Sequence, residues 1–142
     1  KGVGSYLEEA VAQAQSQGDH TNARVFDSAQ FLAERMQDVP VHVLACIELD
    51  VSGAPPSHAP IGAMGSIFPA VWSFQLALRA RGLGTCLTTL HLKYAGEVAQ
   101  LLGIPDGIVQ VALLPVAYTK GTDFKPAKRR PMDEVVHWDK WG

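Results

Sequence analysis

The sequence is short of the residues with which a protein does chemistry unaided. It has two cysteines, Cys46 and Cys86, and no Cys-x-x-Cys pair, so neither a disulfide framework nor a redox dithiol has a basis. Both cysteines sit in apolar, strand-like runs and read as buried free thiols in a reducing cytosol. None of the five histidines, His20, His42, His58, His91 and His137, stands at metal-ligand spacing from another His or Cys. There is no serine nucleophile elbow and no paired-carboxylate motif. Acid–base or covalent catalysis by side chains therefore has no candidate. If the chain is an enzyme, a cofactor carries the reaction.

An excess of charge of one sign is lacking too. Twelve Lys+Arg stand against 14 Asp+Glu, for a formal net charge of −2. That balance speaks against a nucleic acid or an anionic membrane as partner. No apolar run approaches the roughly 20 residues that cross a bilayer, and no signal-peptide pattern is present, so a cytoplasmic location is the expectation. There is no internal repeat and no low-complexity segment. What remains is 142 residues with 47% apolar content, enough for one domain, 1–142, with its own core. The chain starts at Lys1 and enters a helix almost at once. We read that as a sign that an N-terminal piece is missing.

The chain is organised around Ser66–Leu90. Ser66 is a candidate helix cap, with Pro69 still in the first turn. From Ile67 to Leu78 only Ser73 and Gln75 interrupt the apolar residues, which predicts a helix buried on every side. Arg79 and Arg81 suit its C-terminal dipole, and Gly82 and Gly84 stop it. Thr85–Leu90 is rich in β-branched residues and reads as extended. Its end sets amides and hydroxyls beside an apolar wall, a place for a flat, partly polar ligand. His91 follows that corner directly. Gly82-Leu83-Gly84 follows a helix rather than opening one, so it is no dinucleotide fingerprint.

Around this stretch the pattern predicts helices over about 5–17, with a Ser5…Glu8 capping box, over 24–37, with Val25, Ala29, Leu32 and Met36 on one face, and over 94–102. It predicts strands over 41–49, covered on both faces, over 85–90, and over 108–118, with an edge or bulge at Pro115. A proline- and glycine-rich loop spans 50–65. Three strands are few for the apolar surface present, so either another strand is missing or a second subunit covers the exposed faces. The tail gathers Lys120, Lys125, Lys128, Arg129 and Arg130 and ends in Val135-Val136-His137-Trp138 and Trp141. Two readings of its charge stand: a solvated cluster, or a phosphate clamp in which Lys128 and Arg130, two apart in extended chain, point the same way. Aromatics so near a terminus dock on this domain or on a partner subunit.

Arg79-Ala80-Arg81-Gly82-Leu83-Gly84-Thr85-Cys86, then Leu102-Gly103-Ile104-Pro105, Ala117-Tyr118, Lys128-Arg129-Arg130-Pro131 and Asp133 to Trp141 together resemble the nitroreductase family of FMN-dependent oxidoreductases, above all its actinobacterial members. The resemblance runs from about Val39 to Gly142. It implies an α+β fold, with a mixed sheet flanked by helices, a long buried central helix, an intertwined homodimer and FMN at the dimer interface. It places Thr88, Thr89 and Leu90 along the flavin ring and Lys128 and Arg130 on the flavin phosphate, and it assigns no catalytic side chain. The implied activity is ping-pong hydride transfer from NAD(P)H through FMN to a nitroaromatic, quinone or similar small-molecule acceptor. The alternative is a non-catalytic flavin-binding or dimerising relative, or a remnant of a longer parent. Two departures stand out. The basic Arg-Ser-Arg-type element and the Pro-Ser…Asn element of the family's N-terminal region do not occur in Lys1–Asp50, and Ser73 stands where members often carry an amide.

Overall fold

The computed structural model describes residues 3–49, 59–121, 123–127 and 129–141. Two helices, α1 (Val3–Ser16) and α2 (His20–Glu34), form an antiparallel hairpin. Its turn is made by Gly18, at φ +70°, and by Asp19, whose Oδ1 accepts the Asn22 N–H at 3.0 Å. That carboxylate caps α2, so the helix starts before the predicted Arg24 and ends before the predicted Gln37. A 3-10 turn over Met36–Asp38 then leads to the sheet. Ser5, the predicted cap of α1, lies inside the helix. Leu7 and Ala14 of α1 and Ala23 of α2 are buried between the pair.

The sheet has three strands in the order β1-β3-β2, where β1 is Val41–Glu48, β2 is Leu83–Thr85 and β3 is Ile108–Tyr118. Both pairings are antiparallel, whereas the family resemblance implies a mixed sheet. The small core centres on β3, with Val111, Ala112, Leu114 and Val116 buried. β3 is the middle strand, not an edge, and the register slips between Ala45 and Cys46 rather than at Pro115. β1 is only partly covered along its length, because it forms the sheet's outer edge.

α3 runs from Ala59 to Arg79. It begins before Ser66, so Ser66 is not its cap, Pro69 lies in its interior, and residues 59–65 of the predicted loop are helical; the rest of that loop lies outside the described residues. Gly82, at φ +73°, ends the turn that follows, and Arg81 Nη1 donates to the Ala77 carbonyl at 3.0 Å. The prediction of a helix buried on every side is corrected. Val71 is buried, but Ile61, Phe68, Trp72, Phe74 and Leu76 are exposed. Within the chain α3 packs on β1 and β2. The expectation that nothing here could span a bilayer is corrected as well. Ile61–Arg79 is long and apolar enough by length and composition, with a mean hydropathy of 1.4. Scattered glycine, serine and proline hide this in the sequence, because no run is unbroken.

A 3-10 turn over Leu90–Tyr94 leads into α4 (Ala95–Leu102), closed by Gly103 at φ +65°. Gln110, buried on β3, donates Nε2–H to the Ala95 carbonyl at 2.7 Å and so fixes the start of α4 to the sheet. Lys93 Nζ stands 4.2 Å from the centre of the Tyr6 ring, a cation–π contact tying the same turn to α1.

Candidate functional site

The predicted ligand corner is built on β3. β2 pairs with β3 through Leu83↔Tyr118, Gly84↔Ala117 and Thr85↔Val116, and the ladder resumes in the same register at Thr88↔Leu113. Between them the chain leaves the sheet. By that register Cys86 faces Pro115, whose ring nitrogen carries no hydrogen to offer. Thr88 closes the ladder: its N–H donates to the Leu113 carbonyl at 3.0 Å and its carbonyl accepts from Leu113 N–H at 2.9 Å.

Thr88 therefore has no amide donor left for a ligand. The next two residues differ. Among the described residues the N–H groups of Thr89 and Leu90 have no acceptor, while the Thr89 carbonyl accepts Leu92 N–H at 3.0 Å and shapes the turn. Two adjacent amide donors thus stand free at the end of an apolar strand.

Two cavities lie beside this segment, under α2. One of about 610 Å³ is bordered by Val25, Phe31, Leu32, Thr88, Leu90 and His91 among others, and no charged side chain lines it. The other, about 490 Å³, lies between the end of α3 and the start of the tail. There Arg79 stacks 4.3 Å from the centre of the Phe124 ring. Leu32 and Cys86 line both cavities. Thr85 Oγ1 is buried without a partner among the described residues, and so are both ring nitrogens of His91. Burial holds the His91 imidazole below its usual pKa and therefore neutral at physiological pH.

Cys86 corrects another expectation. It is exposed rather than buried, and Cys46 is half-buried, because the ladder lapses at Cys86 and β1 is an edge. Apolar surroundings still push both thiols up in pKa, which keeps them protonated and slow as nucleophiles.

Thr88 and Leu90 thus meet at one cavity. Arg130 lines none of the described cavities, and Lys128 lies outside the described residues. Trp138 and Trp141 are almost fully exposed, so neither tail tryptophan docks on this domain. The cavity wall of α2 was missed. Its Val25/Leu32 stripe has the spacing of a core face, and spacing does not tell a core face from a cavity wall.

A sequence profile described as "Nitroreductase family" matches residues 3–118. The chain belongs to the nitroreductase family. Solved structures share the nitroreductase fold with it. A nitroreductase-like family protein from Bacillus cereus aligns with a TM-score of 0.60 at 18% identity, over 96% of this chain and 68% of that one. A BluB-like flavoprotein from Clostridium difficile 630 gives 0.58 at 16% identity, over 96% and 74%. Oxidized iodotyrosine deiodinase, bound to FMN and 3-iodo-L-tyrosine, gives 0.55 at 19% identity, over 97% and 70%. The family match leaves out the tail beyond Tyr118, where Lys128 and Arg130 lie.

Proposed function

We propose that this nitroreductase-family chain is a flavin-dependent oxidoreductase that uses FMN and NAD(P)H to reduce nitroaromatic, quinone or similar acceptors by ping-pong transfer. The observation that carries the proposal is the pair of unengaged amides, Thr89 and Leu90, the second belonging to a residue that lines an apolar cavity. A flavin ring is flat and apolar on its faces, with hydrogen-bond acceptors along its edge, and it fits such a corner. Two of the structurally similar proteins are a flavoprotein and an FMN complex by name.

When bound, FMN supplies the hydride chemistry that no side chain here offers. The chain's own contribution is orientation and polarity. The Thr89 and Leu90 amides would donate to the ring edge, supplying fixed donors there. Leu87 and Leu90 would supply apolar surface beside it, with Leu32 of α2 on the facing wall. Lys128 and Arg130 hold the phosphate by charge-assisted hydrogen bonds. In this reading the tail comes from a second copy of the chain. That copy also covers the exposed side of α3, making a homodimer with no membrane or nucleic-acid partner. We place the protein in the cytoplasm.

The test is to purify the chain, reconstitute it with FMN and record NADH and NADPH oxidation with an added quinone. Flavin bound at one per chain, with acceptor-dependent oxidation, supports the proposal. Protein that takes up no FMN overturns it.

A further inference from the structure

The smaller cavity, of about 490 Å³, has no part in the proposed flavin corner: neither Thr89 nor Leu90 lines it. Most of its wall is aliphatic. Leu32 and Val39 come from the end of α2 and the chain just beyond it, Leu83 from β2, and Pro115 and Ala117 from β3. Arg79, in the last turn of α3, also lines it, and among the described residues no other charged side chain does. The guanidinium is held in place. Its Cζ lies 4.3 Å over the centre of the Phe124 ring, and Phe124 lines the same cavity. Both members of the stack therefore border one space. Stacking engages the face of a guanidinium, whereas its N–H donors lie in its plane, in the fork that matches a carboxylate. One cation beside an otherwise uncharged, apolar wall also sets the ligand's charge. A single negative charge is balanced there. A phosphate monoester, with nearly two charges at neutral pH, would carry an uncompensated one into apolar surroundings.

We infer that this cavity binds a medium-length aliphatic monocarboxylate, its carboxylate paired with the Arg79 guanidinium and its chain against the wall of Leu32, Leu83 and Pro115. Arg79 selects the charge and the wall selects the apolar body. The site goes beyond the flavin reading and does not rest on it.

The experiment is titration calorimetry on the full chain at neutral pH with octanoate, octanamide and hexanoate. Octanamide keeps the shape of octanoate and removes the charge, and hexanoate keeps the charge and shortens the chain. We expect octanoate to bind about tenfold or more tightly than octanamide, the range for hydrogen bonds to a charged group. It should bind about tenfold more tightly than hexanoate, because each buried methylene adds roughly fourfold. Arg79→Gln should weaken octanoate binding by about tenfold or more and leave octanamide unchanged, and Arg79→Lys should keep part of the affinity. The Arg79 Nε resonance should move in ¹⁵N NMR as octanoate is added, and saturating FMN should leave the octanoate Kd unchanged. Equal binding of octanoate and octanamide overturns the inference, as does equal binding of octanoate and hexanoate or an unchanged octanoate Kd in Arg79→Gln. If Arg79→Gln does not fold, an unshifted Arg79 resonance in the unmodified protein overturns it. Displacement of octanoate by FMN overturns it too, because Arg79 then serves the flavin phosphate.

Discussion

Thr88 and Leu113 exchange both of their main-chain hydrogen bonds, at 3.0 and 2.9 Å, in the register already set by Leu83–Thr85. The consequence reaches the site. Because Thr88 is pinned to the sheet, Thr89 and Leu90 are the first residues able to turn their amides outward. The gap before Thr88, where Cys86 faces Pro115, lets the chain bow away from β3 between two cavities.

The same ladder depends on Gly84. A methyl group at this position would strike Cγ2 of Thr119. Gly84→Ala should destabilise the chain by about 1–3 kcal/mol, and pairing it with Thr119→Ser should recover much of that. A double-mutant cycle from urea midpoints checks this, and additive losses would show that the close approach is not the cause.

Stability should fall on acidification because of His91. Its folded pKa lies below the ordinary value of 6.5, so between the two values the unfolded chain binds the proton and the folded chain resists it. His91 therefore causes no loss well above 6.5 and a growing loss as pH drops below it. Denaturant midpoints between pH 7.5 and 5.5 should fall more steeply for the unmodified chain than for His91→Gln. Parallel slopes would contradict this.

Trp72 and Leu114 should respond in opposite ways. Trp72 is 62% exposed on α3 whereas Leu114 is 1% exposed in the core. Trp72→Asp should leave the monomer's fold intact and weaken the proposed dimer by at least about 2 kcal/mol. Leu114→Ala should reduce folding stability by about 2–5 kcal/mol. Light scattering and denaturant melts separate the two effects. A Trp72→Asp protein that stays dimeric would place the interface elsewhere.

Removing the tail cations tests the phosphate clamp. Replacing Lys128 and Arg130 by Ala should weaken FMN binding by roughly 1.5–3 kcal/mol for each charge-assisted bond lost, with little effect on thermal stability. Unchanged affinity would return the tail to the status of a solvated cluster.

Much of this fold was legible in local signals. β3 matches its apolar run end to end, β1 lacks only the last predicted residue, and Gly103 closes α4 where a left-handed residue was needed. The start of α3 was not legible, because Ala59 to Gly65 mixes proline and glycine in a way that reads as loop and is overridden by the apolar helix behind it. Burial was the larger miss. An apolar sequence says that Trp72 or Phe68 needs a neighbour, not whether the neighbour is its own chain. At the site, the Thr88–Leu90 corner followed from a β-branched run ending in polar residues. The division of labour within it, with Thr88 bonded and Thr89 and Leu90 free, depends on β3, more than twenty residues further along the sequence.

The most direct test of the account is the absorbance spectrum of the purified chain after FMN reconstitution, followed on anaerobic addition of NADH or NADPH and then of a quinone. We predict a yellow protein that bleaches with the nicotinamide and regains its colour with the quinone. A protein that stays colourless, or one whose bound flavin ignores both nicotinamides, would contradict the account.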